Sequence, residues 1–348
     1  MIFHLWKYVL CFLLVIGLLL QTNFSFGREQ TSLEPIRLKM LLLPYLSYAP
    51  LFIAHEEGFF TEQRLQVEFV KMSSSATAIA SLAQGDLDII PGMIRPSHFN
   101  AMVRGSTIKF VAEKGYTATG ACTCKGFVAR RALVESGELK SPAQLKGKKI
   151  CLDAGFASTE GYFVEKLLEK GGVKLNEVEI IEHIDLAAER EAMRKGLIDL
   201  SVKGEPQVTR MVESKHGVLW MGVQEIVPDF QFDIIAFGPT LLQKNPEAGK
   251  RFMVAYLKAV RQYNQGKTGR NLEIIAKHTN LDQDLLRKAC WHTLRNDGKI
   301  NIRSILDFQS WARMKGFLDK EATENQFWDP KFIEHASQVL DSAKKLTK

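Results

Sequence analysis

Cysteine is scarce in this 348-residue chain: there are five, and Cys11 lies within an apolar N-terminal run. The other four, Cys122, Cys124, Cys151 and Cys290, are too few for a disulfide scaffold. Cys122 and Cys124 stand too close for an ordinary bridge to each other, and no Cys or His nearby completes a metal set. Buried free thiols are the expected state, with a Cys151 bridge to one of the pair as the alternative that an oxidising compartment allows. A Gly-x-Ser-x-Gly elbow, a His-Glu-x-x-His pair and a P-loop are all missing, so no common hydrolase, zinc-protease or nucleotide site is signalled. The formal charge is +7, yet basic residues are scattered among acids without a basic stripe or aromatic RNA-binding motif. Nucleic-acid binding is excluded on that ground. Beyond the N-terminal run, no stretch is long and apolar enough to span a bilayer.

What the chain does have begins at that run. Lys7 is the only formally charged residue before Arg28, and Tyr8 to Leu20 are almost wholly apolar. Ser25-Phe26-Gly27 then places small residues at the −3 and −1 positions of a cleavage site. This is the pattern of a secretory signal peptide over 1–27, and it implies export to the periplasm or the outer face of the cytoplasmic membrane. Retention as an anchor is the alternative, although the run is shorter than a spanning helix needs. Cleavage leaves 321 residues, more than one hydrophobic core usually supports, which points to two lobes.

Period-2 and period-3.6 patterns alternate along the exported part. Strands are expected at 36–41, 65–70, 87–90, 108–112, 149–152, 178–181, 197–201 and 232–237. Helices fall between them, at 50–57, 73–84, 142–145, 157–168 and 186–194. The last third reads as mostly helical, with Trp291, Trp311 and Trp328 as core. Such alternation predicts an α/β fold with a mainly parallel sheet in each of two lobes and a helical C-terminal region. Lobe 1 is assigned to 28–127 and 232–348, and lobe 2 to 128–231.

Four segments, in order, resemble the type-2 periplasmic binding proteins, in particular the sulfonate, nitrate, taurine and thiamine-precursor binding family. They are Ala49-Pro50-Leu51-Phe52-Ile53-Ala54-His55-Glu56-Glu57-Gly58-Phe59-Phe60 with Leu65-Gln66-Val67-Glu68, then Ala80 to Ile89, then Leu145 to Ile150 with Gly155 to Thr159, and finally Met193 to Asp199 with Gly204-Glu205-Pro206. Two departures stand out. Arg64 occupies the place of a usual glycine, so a strained positive-φ turn is expected there. Gly204 replaces a common aromatic before Glu-Pro, which removes a stacking surface for a ligand.

In open α/β sheets ligands bind beyond the carboxyl ends of the strands. The loops that follow the strands nominate Tyr45, Tyr48, Ser73, Ser74, Met93, Arg95, Thr117, Ser158, Thr159 and Glu205 as ligand contacts. Tyrosines stack or hydrogen-bond, hydroxyls sit beside free N–H groups at helix N-termini, Arg95 meets an anion and Glu205 an amine. The resemblance implies a monomeric solute receptor that closes on a small molecule by hinge motion and serves an ABC permease and its ATPase. No catalytic or cofactor constellation is present, so a non-enzyme is expected. The alternatives are an enzyme on the same fold, related to thiamine-pyrimidine synthesis, and a solute-sensing partner of a membrane receptor.

Overall fold

Strand β1 (Ile36–Leu41) carries its burial in alternation, and its buried Leu38 and Met40 begin the first core. In a computed structural model, residues 34–72, 75–182 and 185–346 are described. The N-terminal segment 1–27, read above as a signal peptide, and the candidates Ser73 and Ser74 lie outside them. Beside β1 lies β2 (Leu65–Val70), parallel and in register from Ile36↔Leu65 to Leu41↔Val70. Strands β3 (Ile89–Met93), β4 (Lys109–Tyr116) and β10 (Gln231–Phe237) complete a sheet in the order β2-β1-β3-β10-β4. The second sheet holds β5 (Lys125–Arg130), β6 (Lys149–Leu152), β7 (Glu179–Glu182), β8 (Leu200–Gly204) and β9 (Gly217–Gly222), in the order β7-β6-β8-β5-β9.

The two sheets share one design. In each, four strands run the same way and one runs against them, β10 in the first and β5 in the second. Helices flank both sheets. This is the two-sheet α/β architecture that the alternating pattern predicted, with one antiparallel strand inserted in each sheet. The chain passes from one sheet to the other twice, through 117–124 and through 223–230.

Local details have identifiable causes. Arg64 adopts φ 54, the left-handed conformation expected from its place in a glycine turn. Strand β3 runs on through Pro91 to Met93, beyond the expected end at Ile90, because its neighbour β10 needs no donor from Pro91. Strand β4 continues past Ala112 through Glu113 and Lys114, both fully buried, because the Lys114 ammonium and the Glu113 carboxyl each meet partners reached only in the folded chain. The helix Thr159–Gly171 begins beneath a tight loop: a Cβ on Gly161 would fall 2.0 Å from the Phe156 carbonyl oxygen, so only glycine fits. Elements without a clear sequence pattern include β5, β9 and the short helices Pro96–Val103, Arg131–Glu135 and Gln207–Glu213.

The C-terminal third is helical, and Trp291, Trp311 and Trp328 are buried as expected. Its Gln283–Lys288 helix stops short of Trp291. There the backbone is diverted: Cys290 N–H donates to Glu205 Oε1 at 3.1 Å, and Cys290 Sγ is bonded to Cys122. This disulfide corrects the expectation of free thiols for both residues. Its partners lie 168 residues apart, with Cα atoms 5.8 Å from each other, a proximity that only the tertiary fold creates. Cys124 and Cys151 are free and buried, as expected.

The segment after Cys290 lies against β4. Glu113 N–H donates to Gly298 O, and Glu113 Oε1 accepts the Arg295 N–H at 2.7 Å. Burial pushes the Glu113 carboxyl up to about 8, against the pull of those donors. The neutral acid is therefore the native form at pH 7.

Two outcomes are expected. Cys122→Ser closes no 168-residue loop in the unfolded chain, and urea denaturation should show a loss of about 2–4 kcal/mol, abolished as a difference when the parent is reduced. For Glu113 the folded pKa lies above the unfolded value, so its contribution is complete below about pH 4.5 and fades as pH rises to about 8. Stability should fall by about 1.4 kcal/mol per pH unit from this group within that window, and Glu113→Gln should flatten that slope.

Candidate functional site

The carboxyl ends of the parallel strands in both sheets open onto one cavity of about 790 Å³. From the first sheet come Leu41 at the end of β1, Met72 beyond β2, Pro91 to Met93 at the end of β3, and Lys114 on β4. The antiparallel β10 points its start the same way and supplies Phe232 and Asp233. From the second sheet come Lys125 at the start of β5, Asp153 and Ala154 beyond β6, Asp185 beyond β7, and Gly204 to Gln207 beyond β8. His292, from the C-terminal segment, also lines it.

Five of the sequence candidates lie on this lining: Tyr45, Tyr48, Met93, Arg95 and Glu205. Tyr45 is 54% exposed, whereas Tyr48 is buried and donates from its hydroxyl to the Pro91 carbonyl at 2.5 Å. Burial, with Asp233 nearby, holds the Tyr48 phenol well above its ordinary range. Glu205 faces N–H and O–H donors: Thr209 N–H and hydroxyl and Cys290 N–H all reach its carboxylate. Burial raises its pKa. Arg95 reaches across the cleft and donates from Nη1 to the Ala154 carbonyl at 3.2 Å.

Three candidates are placed elsewhere. Thr117 is buried among the two crossings, where its hydroxyl donates to Val227 O at 2.6 Å and accepts from Phe230 N–H at 2.8 Å. The Ser158 hydroxyl donates to Gly155 O and accepts from Glu160 N–H, capping its helix. Thr159 is fully buried in the first turn of that helix. None of the three lines the cavity, because folding turns their polar atoms inward to backbone groups or core.

The charged floor of the cavity was not read from the sequence. Lys114 Nζ pairs with Asp233 Oδ2 at 2.9 Å, donates to Ser47 Oγ and lies 4.5 Å from the Tyr48 ring centroid. Burial works to raise the Asp233 carboxyl, but Lys114 and Lys125 prevail and leave it below its ordinary range. Lys125 Nζ stands 3.7 Å from Glu160 Oε1, and Glu160 Oε2 accepts the Ala154 N–H. Lys203 pairs with both Asp153 and the buried Glu189. That ammonium thereby neutralises part of a group, Cys151, Asp153 and Glu189, whose spacing alone would suit a metal ion. The available signal was a charge inside an apolar strand, as in Phe110-Val111-Ala112-Glu113-Lys114.

Two imidazoles complete the lining. His98 Nδ1 accepts the Arg95 N–H at 3.2 Å, which leaves the proton on Nε2, an atom with no partner among the described residues. His292 Nδ1 is likewise unpartnered. Burial lowers both to about 4, so both are neutral at pH 7.

A family model described as NMT1/THI5-like matches residues 46–265. The chain belongs to that family. No curated protein matches it. Solved structures similar to this NMT1/THI5-like chain include the ligand-binding component of an ABC-type import system from Staphylococcus aureus with zinc bound, at 16% identity and TM-score 0.71, covering 88% of this chain and 99% of that one. The alkanesulfonate-binding protein SsuA from Xanthomonas axonopodis pv. citri, bound to MOPS, aligns at 14% identity and TM-score 0.65, covering 85% and 99%. The desulfurization enzyme DSZB aligns at 13% identity and TM-score 0.62, covering 87% and 99%. The architecture is thus that of the type-2 periplasmic binding proteins, as the ordered segments implied, and it is shared by binding proteins and an enzyme.

The Lys114–Asp233 pair is a test of this geometry. Asp233→Asn leaves a buried ammonium unpaired and should cost about 3–5 kcal/mol in urea denaturation. Lys114→Met combined with Asp233→Leu should cost clearly less than the sum of the single changes.

Proposed function

We propose that this chain is an exported solute-binding protein that captures a small molecule in the cavity and delivers it to an ABC importer. The observation that supports the reading best is the position of the cavity. It lies at the carboxyl ends of two sheets that are joined by only two short crossings, so a solute touching both sheets favours closure. In this reading the first sheet with the C-terminal helices is one lobe and the second sheet the other. Tyr45, Tyr48, Met93, Arg95 and Glu205 contact the solute, and Ser73 and Ser74 join them on the sequence argument alone. A permease and its ATPase are the partners, the receptor acts as a monomer, and the segment 1–27 directs export. Among the described residues no helix is long and apolar enough to cross a membrane.

An enzyme on the same fold is the second reading, favoured by the likeness to DSZB. The thiols weigh against cysteine chemistry in the cleft. Cys122 is bonded to Cys290, burial raises Cys124 to about 11 and Cys151 to about 12, and none of these residues lines the cavity.

The test is a thermal-shift screen of the mature chain against sulfonates, nitrate, bicarbonate, pyrimidines, amino acids and aromatic acids. A solute present at a hundred times its Kd adds about 2.7 kcal/mol to stability. Small-angle scattering with that solute should show a smaller radius of gyration. Conversion of a bound compound to product would replace the transport reading with the enzymatic one.

A further inference from the structure

The overall charge of the chain is +7, yet the cavity carries the opposite sign. Among its described lining residues, the carboxylates Asp153, Glu160, Asp185, Glu205 and Asp233 outnumber the basic groups Arg95, Lys114 and Lys125. The basic groups are also largely matched already. Lys114 is paired with Asp233 at 2.9 Å and Lys125 with Glu160 at 3.7 Å. Arg95 forms no ion pair among the described residues, but it is engaged by the Ala154 carbonyl and lies in the attractive field of Glu160 and Asp233. An anion approaching Arg95 therefore meets those two carboxylates as well.

The acids are less well matched. Lys203 is shared between Asp153 and Glu189, one ammonium for two carboxylates. Asp185 spends Oδ1 on the N–H groups of Ala187 and Ala188, and no basic side chain pairs with it among the described residues. Asp153 and Asp185 follow the neighbouring strands β6 and β7, whose last paired residues are Leu152 and Glu182. The uncompensated negative charge is thus concentrated on one side of the cleft. Opposite it, Leu43, Tyr48, Met72, Ile79 and Phe232 offer apolar surface. Partial withdrawal from water strengthens this field, because fewer solvent dipoles screen it.

We propose that the solute is a small organic cation, a protonated amine or amidine on an apolar frame, whose charged nitrogen is drawn to the Asp153–Asp185 side of the cavity. The inference rests on the solute-capture reading and narrows it. Simple inorganic anions and sulfonates are disfavoured by the same field.

Three probes on one frame separate charge from shape: benzylamine, benzyl alcohol and benzoate, at equal concentration and constant ionic strength, added to the mature chain in a thermal-shift assay alongside the wider panel above. Benzylamine should raise the melting temperature, benzyl alcohol less, and benzoate not at all. Asp185→Asn keeps a competent helix cap and removes one charge, so it should weaken benzylamine binding about tenfold. Asp153→Asn should act in the same direction, and the unliganded melting curve of each variant reports any loss of fold. Stabilisation by benzoate or a sulfonate above that by benzylamine would overturn the cation assignment while leaving solute capture intact. Stabilisation by none of the probes or panel compounds would count against both.

Discussion

The arrangement depends on how the two crossings are held together. Thr117, at the exit from β4, joins the first crossing to the second through four hydrogen bonds. Its N–H donates to Phe230 O, its carbonyl accepts from Asp229 N–H, and its hydroxyl bridges Val227 O and Phe230 N–H. A short ladder of this kind fixes the spacing of the chains while leaving them free to twist about their common direction. Every element of the second sheet hangs from this point, so the relative placement of the cavity walls follows from it.

A second set of contacts limits that motion. The C-terminal segment is tied to the first crossing by the Cys122–Cys290 disulfide and to the end of β8 by Glu205. Arg295 stacks 3.6 Å from the Tyr116 ring centroid, donates to Gln231 Oε1 and pairs with Asp229. Further along, Trp311 packs against Tyr162 and Phe156 of the second-sheet region and donates to Glu165 Oε2 at 2.8 Å. Phe308 and Phe230 extend the same aromatic cluster to the second crossing. The helical C-terminal region thus contacts both sheets. It acts as a strap across the crossings, so the proposed closure has to slide this aromatic layer or pivot around it.

The legibility of these features in the sequence follows their range. Strands β1, β2 and β6 have the expected bounds, because alternation over four to six residues is a local signal. The Arg64 turn was legible for the same reason. The unpatterned elements, β5 and β9 among them, are short, and three-dimensional neighbours rather than their own periodicity hold them in place. Tyr48 and Arg95 were found at the cavity by one topological rule, that loops after strands face it. The same rule placed Thr117, Ser158 and Thr159 there as well, since it locates a loop without orienting its side chains. Lys114, Asp233 and His292 escaped because their roles depend on partners far away in the chain, and the disulfide spans 168 residues.

Those long-range partners also explain why so much charge is tolerated out of water. A buried ion pair is seldom a net source of stability, since desolvation offsets most of the Coulomb gain. Lys114 with Asp233, Lys125 with Glu160 and Lys203 with Glu189 are therefore poor candidates for groups retained to strengthen the fold. Each pair has a member on the cavity lining except the last, and there Lys203 links the buried acid to Asp153, which is on the lining. The paired groups hold one another in place, so in the proposed receptor the field at the cavity is set before a solute enters. In the proposed receptor, a field fixed in advance loses little reorganisation energy on binding, and its sign governs the choice of solute more than the shape of any single side chain does.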